Sequence, residues 1–203
     1  EIVGGHRSIY LEEIKRIYLH LSSKPEIKSI LLTAASTGEG KSSMTMALAT
    51  YLVSTGRKTI VVDADLQPPD IARLAGVDDT TGLAEILHGT ADLDSVIRFN
   101  DNGLAILPAG GDGTRVVLAS SDHFKTLIET LESRYDYVLV DATPVLIATD
   151  AETIAGIVDQ VVMIVAYAKT SRRNLKKAAE TLKQFSPEVP SVILNKADLK
   201  YVA

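Results

Sequence analysis

The sequence predicts an α/β fold, a mostly parallel twisted sheet with helices on both faces. Three observations carry that reading. Short β-branched runs recur along the chain. Several are apolar at consecutive positions, as strands covered on both faces should be. Longer amphipathic stretches separate them, and strand–helix alternation of this kind is the pattern of parallel strands joined by crossover helices.

In chain order, the first element is an amphipathic helix over 9–21, followed by a strand over 29–33 with the run Ser-Ile-Leu-Leu-Thr. A helix over 41–54 follows a glycine-rich turn, and the next strand, over 58–63, ends on Asp63. A short strand over 104–107 and a helix over 123–134 precede the strand over 137–141, which ends on Asp141. The apolar strand over 161–165, the helix over 174–185 and the strand over 191–195 complete the set. The loosest stretches, 101–103 and 109–113, are too short to be linkers between domains. The expectation is therefore one domain over 1–203, a P-loop kinase or ATPase unit once the motifs below are added. With no initiator methionine, it is expected to be the cytoplasmic fragment of a longer chain.

Composition narrows the function classes. The 203 residues are 46% hydrophobic and 23% charged, the mix of a folded globular chain rather than a disordered one. A net charge of −5 argues against a dominant nucleic-acid surface, so no nucleic-acid partner is expected. The absence of cysteine excludes a disulfide scaffold, a thiolate-ligated metal and a cysteine nucleophile. The longest apolar run, Val161 to Ala168, is far short of the roughly 20 residues that a bilayer-spanning helix needs. His6, His20, His88 and His123 are scattered without ligand spacing, so no zinc site is expected.

The strongest motif is Ala35-Ser36-Thr37-Gly38-Glu39-Gly40-Lys41-Ser42, between a strand and a helix. Glycines let backbone N–H groups converge on phosphate oxygens, and the helix N-terminus adds its positive end. Ser36, Thr37, Gly38, Glu39, Gly40, Lys41, Ser42 and Ser43 are the candidate nucleotide-binding residues. Lys41 would reach the β- and γ-phosphates, and the Ser42 hydroxyl would ligate Mg²⁺. The bland alternative is a glycine-rich strand–helix turn with a stray lysine. Two acidic clusters end other strands, Asp63-Ala64-Asp65 and Asp141-Ala142-Thr143-Pro144. Carboxyl ends of parallel strands are where ligands sit, so both clusters can face the same Mg-nucleotide. Asp141 suits the metal, and Asp63 or Asp65 could ligate it or accept a proton, although either could instead cap the following turn.

Taken together these residues resemble the bacterial tyrosine kinases of capsule and exopolysaccharide assembly. The resemblance rests on Gly38-Glu39-Gly40-Lys41-Ser42, Asp63-Ala64-Asp65 and Asp141-Ala142-Thr143-Pro144. Thr81-Gly82-Leu83, Leu107-Pro108-Ala109-Gly110 and Tyr135-Asp136-Tyr137 add to it, and it runs from about Glu12 almost to the end. The wider group of partition and division-site ATPases is similar, but carries a signature lysine where this chain has Ser36.

The resemblance implies Mg-ATP-dependent autophosphorylation on tyrosine by a P-loop NTPase core, with ATP and Mg²⁺ as cofactors. It implies Lys41, Asp63 and Asp65 as catalytic residues and Ser42, Asp63 and Asp141 around the metal. The implied partners are an inner-membrane polysaccharide chain-length regulator, fused or separate, further copies of the chain, and a cognate tyrosine phosphatase. The implied location is the inner face of the cell membrane.

Several positions depart from the family pattern. Gln67-Pro68-Pro69 stands where arginine is frequent, and Val145 where a second proline is usual. The family's N-terminal Glu-x-x-Arg-x-x-Arg reads Glu12, Lys15 and Tyr18, and lysine cannot reproduce a bidentate guanidinium contact. Tyr201 is the sole tyrosine near the C-terminus, where the family carries a cluster. These departures keep open a nucleotide-driven switch that binds or hydrolyses ATP without phosphorylating tyrosine. Asn195-Lys196-Ala197-Asp198 matches the guanine-reading NKxD signature, which keeps a GTPase open, although Pro144 replaces the glycine of the GTPase switch. With ATP favoured, Asn195 is expected near the base. Arg172, Arg173, Lys176 and Lys177 read as a solvated helix face, with an anionic partner or membrane surface as the alternative.

Overall fold

The structure is a computed structural model, and it describes residues 2–65, 70–111, 121–186 and 190–197, with side chains from Tyr10 onward except that of Ser121. Its elements run α1 (Ile2–Ser22), β1 (Ser29–Ala34), α2 (Lys41–Ser54), β2 (Thr59–Ala64), α3 (Ile71–Ala75), α4 (Leu83–Leu87), α5 (Leu93–Val96), β3 (Arg98–Phe99) and β4 (Ala105–Leu107). They continue with α6 (Ser121–Arg134), β5 (Tyr137–Ala142), α7 (Asp150–Ala155), β6 (Gln160–Ala166), α8 (Arg172–Leu182) and β7 (Ser191–Asn195).

The strands form a seven-stranded sheet in the order β3-β4-β2-β5-β1-β6-β7. Every pairing is parallel except that of β3 with β4. β1, β2, β5 and β6 are buried along their whole length, which is why their sequences are apolar on both sides rather than alternating. Successive strand residues feed opposite cores. Ile30, Leu32, Val61, Leu139 and Ile164 face Ile14 and Leu21 of α1 and Met44, Leu48 and Leu52 of α2. Leu31, Val62, Val138, Val140 and Met163 face Phe124, Ile128 and Leu131 of α6, Ile154 of α7 and Leu182 of α8. Helices therefore cover both faces, as expected.

The short elements were not expected from the sequence. α3, α4, α5 and α7 are four to six residues long, too brief for helical periodicity to show. β3 is a two-residue antiparallel strand on the sheet edge. The first helix starts earlier than expected, at Ile2.

Two loci of departure acquire a physical reading. In α1, Lys15 pairs with Glu12 at 3.9 Å within the same helix. Tyr18 packs edge-on against Tyr51 of α2, ring centroids 5.6 Å apart, so it helps seat α1 on α2. On α8, Arg172, Arg173, Lys176 and Lys177 are exposed, and Lys176 pairs with Glu180 at 3.7 Å. Gln67-Pro68-Pro69, Asp198 and Tyr201 lie outside the described residues.

The sheet grows in opposite directions from β1, toward β2 and β4 on one side and β6 and β7 on the other. Such a reversal opens a crevice at the carboxyl ends of the strands. The loop after β1 and the ends of β2 and β5 meet there.

Candidate active site

The loop from Ala35 to Gly40 turns the chain from β1 into α2. Gly38 (φ 73°) and Gly40 (φ 91°) both occupy the left-handed region. That geometry lets successive amides converge into a concave nest, and it disfavours any side chain. At Gly40 a Cβ would also collide with the Asn195 side-chain amide. No side chain caps the N-terminus of α2, a helix of 14 residues. Its first-turn N–H groups therefore remain available to an anion. Glu39 turns its side chain away from the crevice and is 1% exposed. Its Oε2 accepts from the Ala35 N–H at 3.3 Å and its Oε1 from the Thr170 hydroxyl at 2.7 Å.

Lys41 opens α2 and is itself buried, at 6% exposure. Its ammonium lies 2.7 Å from Asp141 Oδ2 and 3.1 Å from Asp65 Oδ2. Asp141 also accepts from the Ser42 hydroxyl at 2.8 Å and the Thr45 hydroxyl at 2.9 Å. Thr45 is one turn beyond Lys41, so the helix aims both at the same carboxylate. The Thr143 hydroxyl donates to Asp65 Oδ1 at 3.2 Å, and the Thr143 carbonyl accepts from Thr33 of β1 at 3.0 Å. Asp63 stands beside Asp141 in the β2–β5 register. It is fully buried, and its two oxygens accept the backbone N–H groups of Asp65 at 3.2 Å and Ile71 at 3.1 Å.

A cavity of about 350 Å³ opens over this cluster. It is lined by Ser36 to Ser43 of the loop and helix start, with Asp65, Asp70, Thr143, Pro144, Ile147 and Lys196 around the rim. Of the acidic candidates, Asp65 borders the cavity and Asp63 lies behind it. Asn195 also stands behind the loop, its amide donating to the Glu39 carbonyl at 2.9 Å. Thr45 and Thr170 take part without having been singled out in the sequence, and Thr143 stood there only as part of the second acidic cluster. Of those two, Thr45 left a trace, at helical spacing from Lys41.

Electrostatics sharpen the picture. Burial alone would lower the Lys41 ammonium, but the Asp141 and Asp65 carboxylates outweigh it and hold Lys41 above its ordinary value. Burial pushes Asp141 up, opposed by Lys41, Ser42 and Thr45. Burial, with the Asp141 charge beside it, pushes Asp63 up to about 8, against the pull of the Ile71 amide, Lys41 and the Asp65 amide.

Two carboxylates on one ammonium, Asp65 and Asp141 on Lys41, leave a surplus of negative charge and of oxygen donors, which suits a hard divalent cation. Among the described residues no three Asp, Glu or His side chains form a ready-made cage. The nest, the uncapped helix start and this donor set together fit a Mg-nucleotide.

The AAA domain family matches residues 27–195. The chain is 31% identical over 183 residues to tyrosine-protein kinase CpsD of Streptococcus pneumoniae serotype 4, covering 87% of this chain and 79% of that protein. It is 29% identical to succinoglycan biosynthesis transport protein ExoP of Rhizobium meliloti, over 98% of this chain but 26% of the longer protein. The solved kinase domain of VpsO superposes with a TM-score of 0.84 at 26% identity, covering 98% of this chain and all of that domain.

Proposed function

This chain belongs to the AAA domain family and, within it, to the bacterial tyrosine-protein kinases, and we propose that it is a Mg-ATP-dependent tyrosine autokinase domain that regulates exopolysaccharide or capsule polymerisation and export. The observation that carries the proposal is the Lys41, Ser42, Asp65 and Asp141 cluster beneath a cavity walled by the phosphate loop.

In this reading Lys41 exchanges a carboxylate for phosphate oxygens and stabilises the charge that gathers on the transferred group. The loop N–H groups and the open start of α2 hold the phosphates in line. The Ser42 hydroxyl and Asp141 would hold Mg²⁺, which would supply neutralisation of phosphate charge. Asp65 borders the cavity and receives the proton of the incoming tyrosine hydroxyl. The tyrosine oxygen forms a bond to the γ-phosphorus, the bond to the bridging oxygen breaks, and ADP departs. Asp63 fixes the backbone of Asp65 and places a second carboxyl beside Asp141, at the outer surroundings of the metal.

ATP as donor is favoured over GTP because Pro144 stands where the GTPase switch carries glycine. The name of ExoP, a succinoglycan biosynthesis transport protein, supports a role in polysaccharide transport. A membrane chain-length regulator, fused or separate, is the proposed partner. Self-association and a cognate tyrosine phosphatase complete the proposed set. Among the described residues no helix is long and apolar enough to cross a membrane. Placement at its inner face, through a fused or partner membrane segment, is part of the proposal.

A second reading, a nucleotide-driven switch without tyrosine transfer, is favoured by one observation: Tyr18 seats against Tyr51 where the family pattern places an arginine. Mass spectrometry after incubation with Mg-ATP separates the two. ADP formed together with phosphotyrosine supports the kinase. ADP and free phosphate without phosphotyrosine replaces it with the switch.

A further inference from the structure

Among the described residues, two that are not glycine adopt positive φ, Ala168 at 55° and Lys196 at 57°. Such backbone conformations are costly and persist where the surroundings hold them. Both lie in the loops that leave the carboxyl ends of β6 and β7, and both loops set a lysine on the phosphate loop. The Lys169 ammonium donates to the Thr37 carbonyl at 3.0 Å and to the Gly38 carbonyl at 3.2 Å. The Lys196 ammonium donates to the same Gly38 carbonyl at 2.9 Å. The Asn195 amide takes the next carbonyl, that of Glu39. Three consecutive carbonyls are thus held by side chains reaching across from two distant loops. A Cβ on Gly38 would press on the Lys169 ammonium at 2.7 Å.

A trans peptide is planar, with its C=O and N–H pointing in opposite directions. The carbonyls of Thr37, Gly38 and Glu39 belong to the peptides whose N–H groups come from Gly38, Glu39 and Gly40. Fixing those carbonyls outward therefore aims those three N–H groups toward the cavity.

We propose that Lys169 and Lys196 are positioning residues that clamp the back of the phosphate loop and aim its amides before the nucleotide arrives. The proposal rests on the nucleotide-binding reading of the site. Its energetic effect is preorganisation, since an amide already aimed costs nothing to orient when phosphate binds. Lys196 also borders the cavity, whereas Lys169 is not among the residues that line it. Lys169 is therefore the cleaner probe of clamping as distinct from direct contact.

The test measures calorimetric affinity of the full chain for Mg-ATP and for inorganic pyrophosphate, which carries no base or ribose. Lys169→Met is expected to weaken both ligands by about fivefold, the scale of one solvent-exposed charge-assisted hydrogen bond. Adding Lys196→Met deepens the loss for both. Lys169→Arg, which keeps the charged donors, restores affinity to within about twofold on the same scale, while the melting temperature of the nucleotide-free protein stays the same across the set. Unchanged affinity in the double variant overturns the clamp. So does a loss for Mg-ATP with none for pyrophosphate, and so does an arginine variant as weak as the methionine one. A wild-type protein that binds neither ligand fails the nucleotide reading itself, an outcome seen before any variant is made.

Discussion

Lys41 Nζ sits 2.7 Å from Asp141 Oδ2, joining the first residue of α2 to the end of β5 across 100 positions of sequence. The pair is buried on both sides, with 7% and 0% side-chain exposure. A buried pair of this kind is weak grounds for stability, because desolvation offsets most of the attraction. Its value here is chemical. The ammonium is kept charged next to the cavity, and the carboxylate is kept among hydroxyl donors that a metal can replace.

Replacing the ammonium tests that role. Lys41→Ala is expected to lower phosphoryl transfer by at least about 10²–10³-fold, the cost of removing one preorganised donor to transition-state charge. Rates of ADP and phosphotyrosine formation measured together check this, and a loss under tenfold would remove Lys41 from the chemistry.

Asp65 touches both Lys41 and Thr143 and borders the cavity. Asp65→Asn preserves shape and removes the base. Mg-ATP affinity is expected to stay within about threefold, while transfer falls by about 10²–10⁴-fold, the usual contribution of a general base. Parallel losses in affinity and rate would assign Asp65 to binding alone.

Asp63 gives a pH signature. Its carboxyl titrates near 3.8 when exposed and is pushed up to about 8 in the folded protein. Between those values the native state binds a proton that the unfolded state has lost. The stability this contributes is complete below about pH 4 and disappears as pH rises through about 8. Melting curves of the nucleotide-free protein are therefore expected to fall with rising pH more steeply for the wild type than for Asp63→Asn. Parallel curves would place the carboxyl in a more polar setting than its burial indicates.

Glu39 is expected to act as the loop's internal brace. Glu39→Ala leaves the Ala35 N–H and the Thr170 hydroxyl without this partner. A loss of about 1–3 kcal/mol in unfolding free energy follows from unpaired buried donors. Denaturant titration reads it directly, and no change would mean that water replaces the carboxylate freely.

The long, doubly buried strands were legible because their apolar runs need no context, and the phosphate loop because glycine, lysine and serine stand at fixed spacing between a strand and a helix. The short elements were not. α4 depends on Glu85, whose carboxylate accepts the Gly82 N–H at 2.6 Å and the Gly111 N–H at 3.1 Å, a pairing settled by the return of the chain after β4. The roles within the acidic clusters were legible only as a set. Whether Asp63 or Asp65 meets the cavity depends on which strand face each occupies at the end of β2 and on the amides of Asp65 and Ile71. Lys169 carried no signal and Lys196 only that of the NKxD match, which points to a base rather than to the loop, since each meets the loop from more than a hundred residues away.

The most direct test is a crystal structure of the complex with Mg²⁺ and a non-hydrolysable ATP analogue. The account expects the Lys41 ammonium to have left Asp141 for a phosphate oxygen, with the Ser42 hydroxyl and Asp141 turned to the metal and Asp65 facing the open side of the γ-phosphate. An analogue seated in the cavity while Lys41 remains paired to both Asp141 and Asp65 would contradict it.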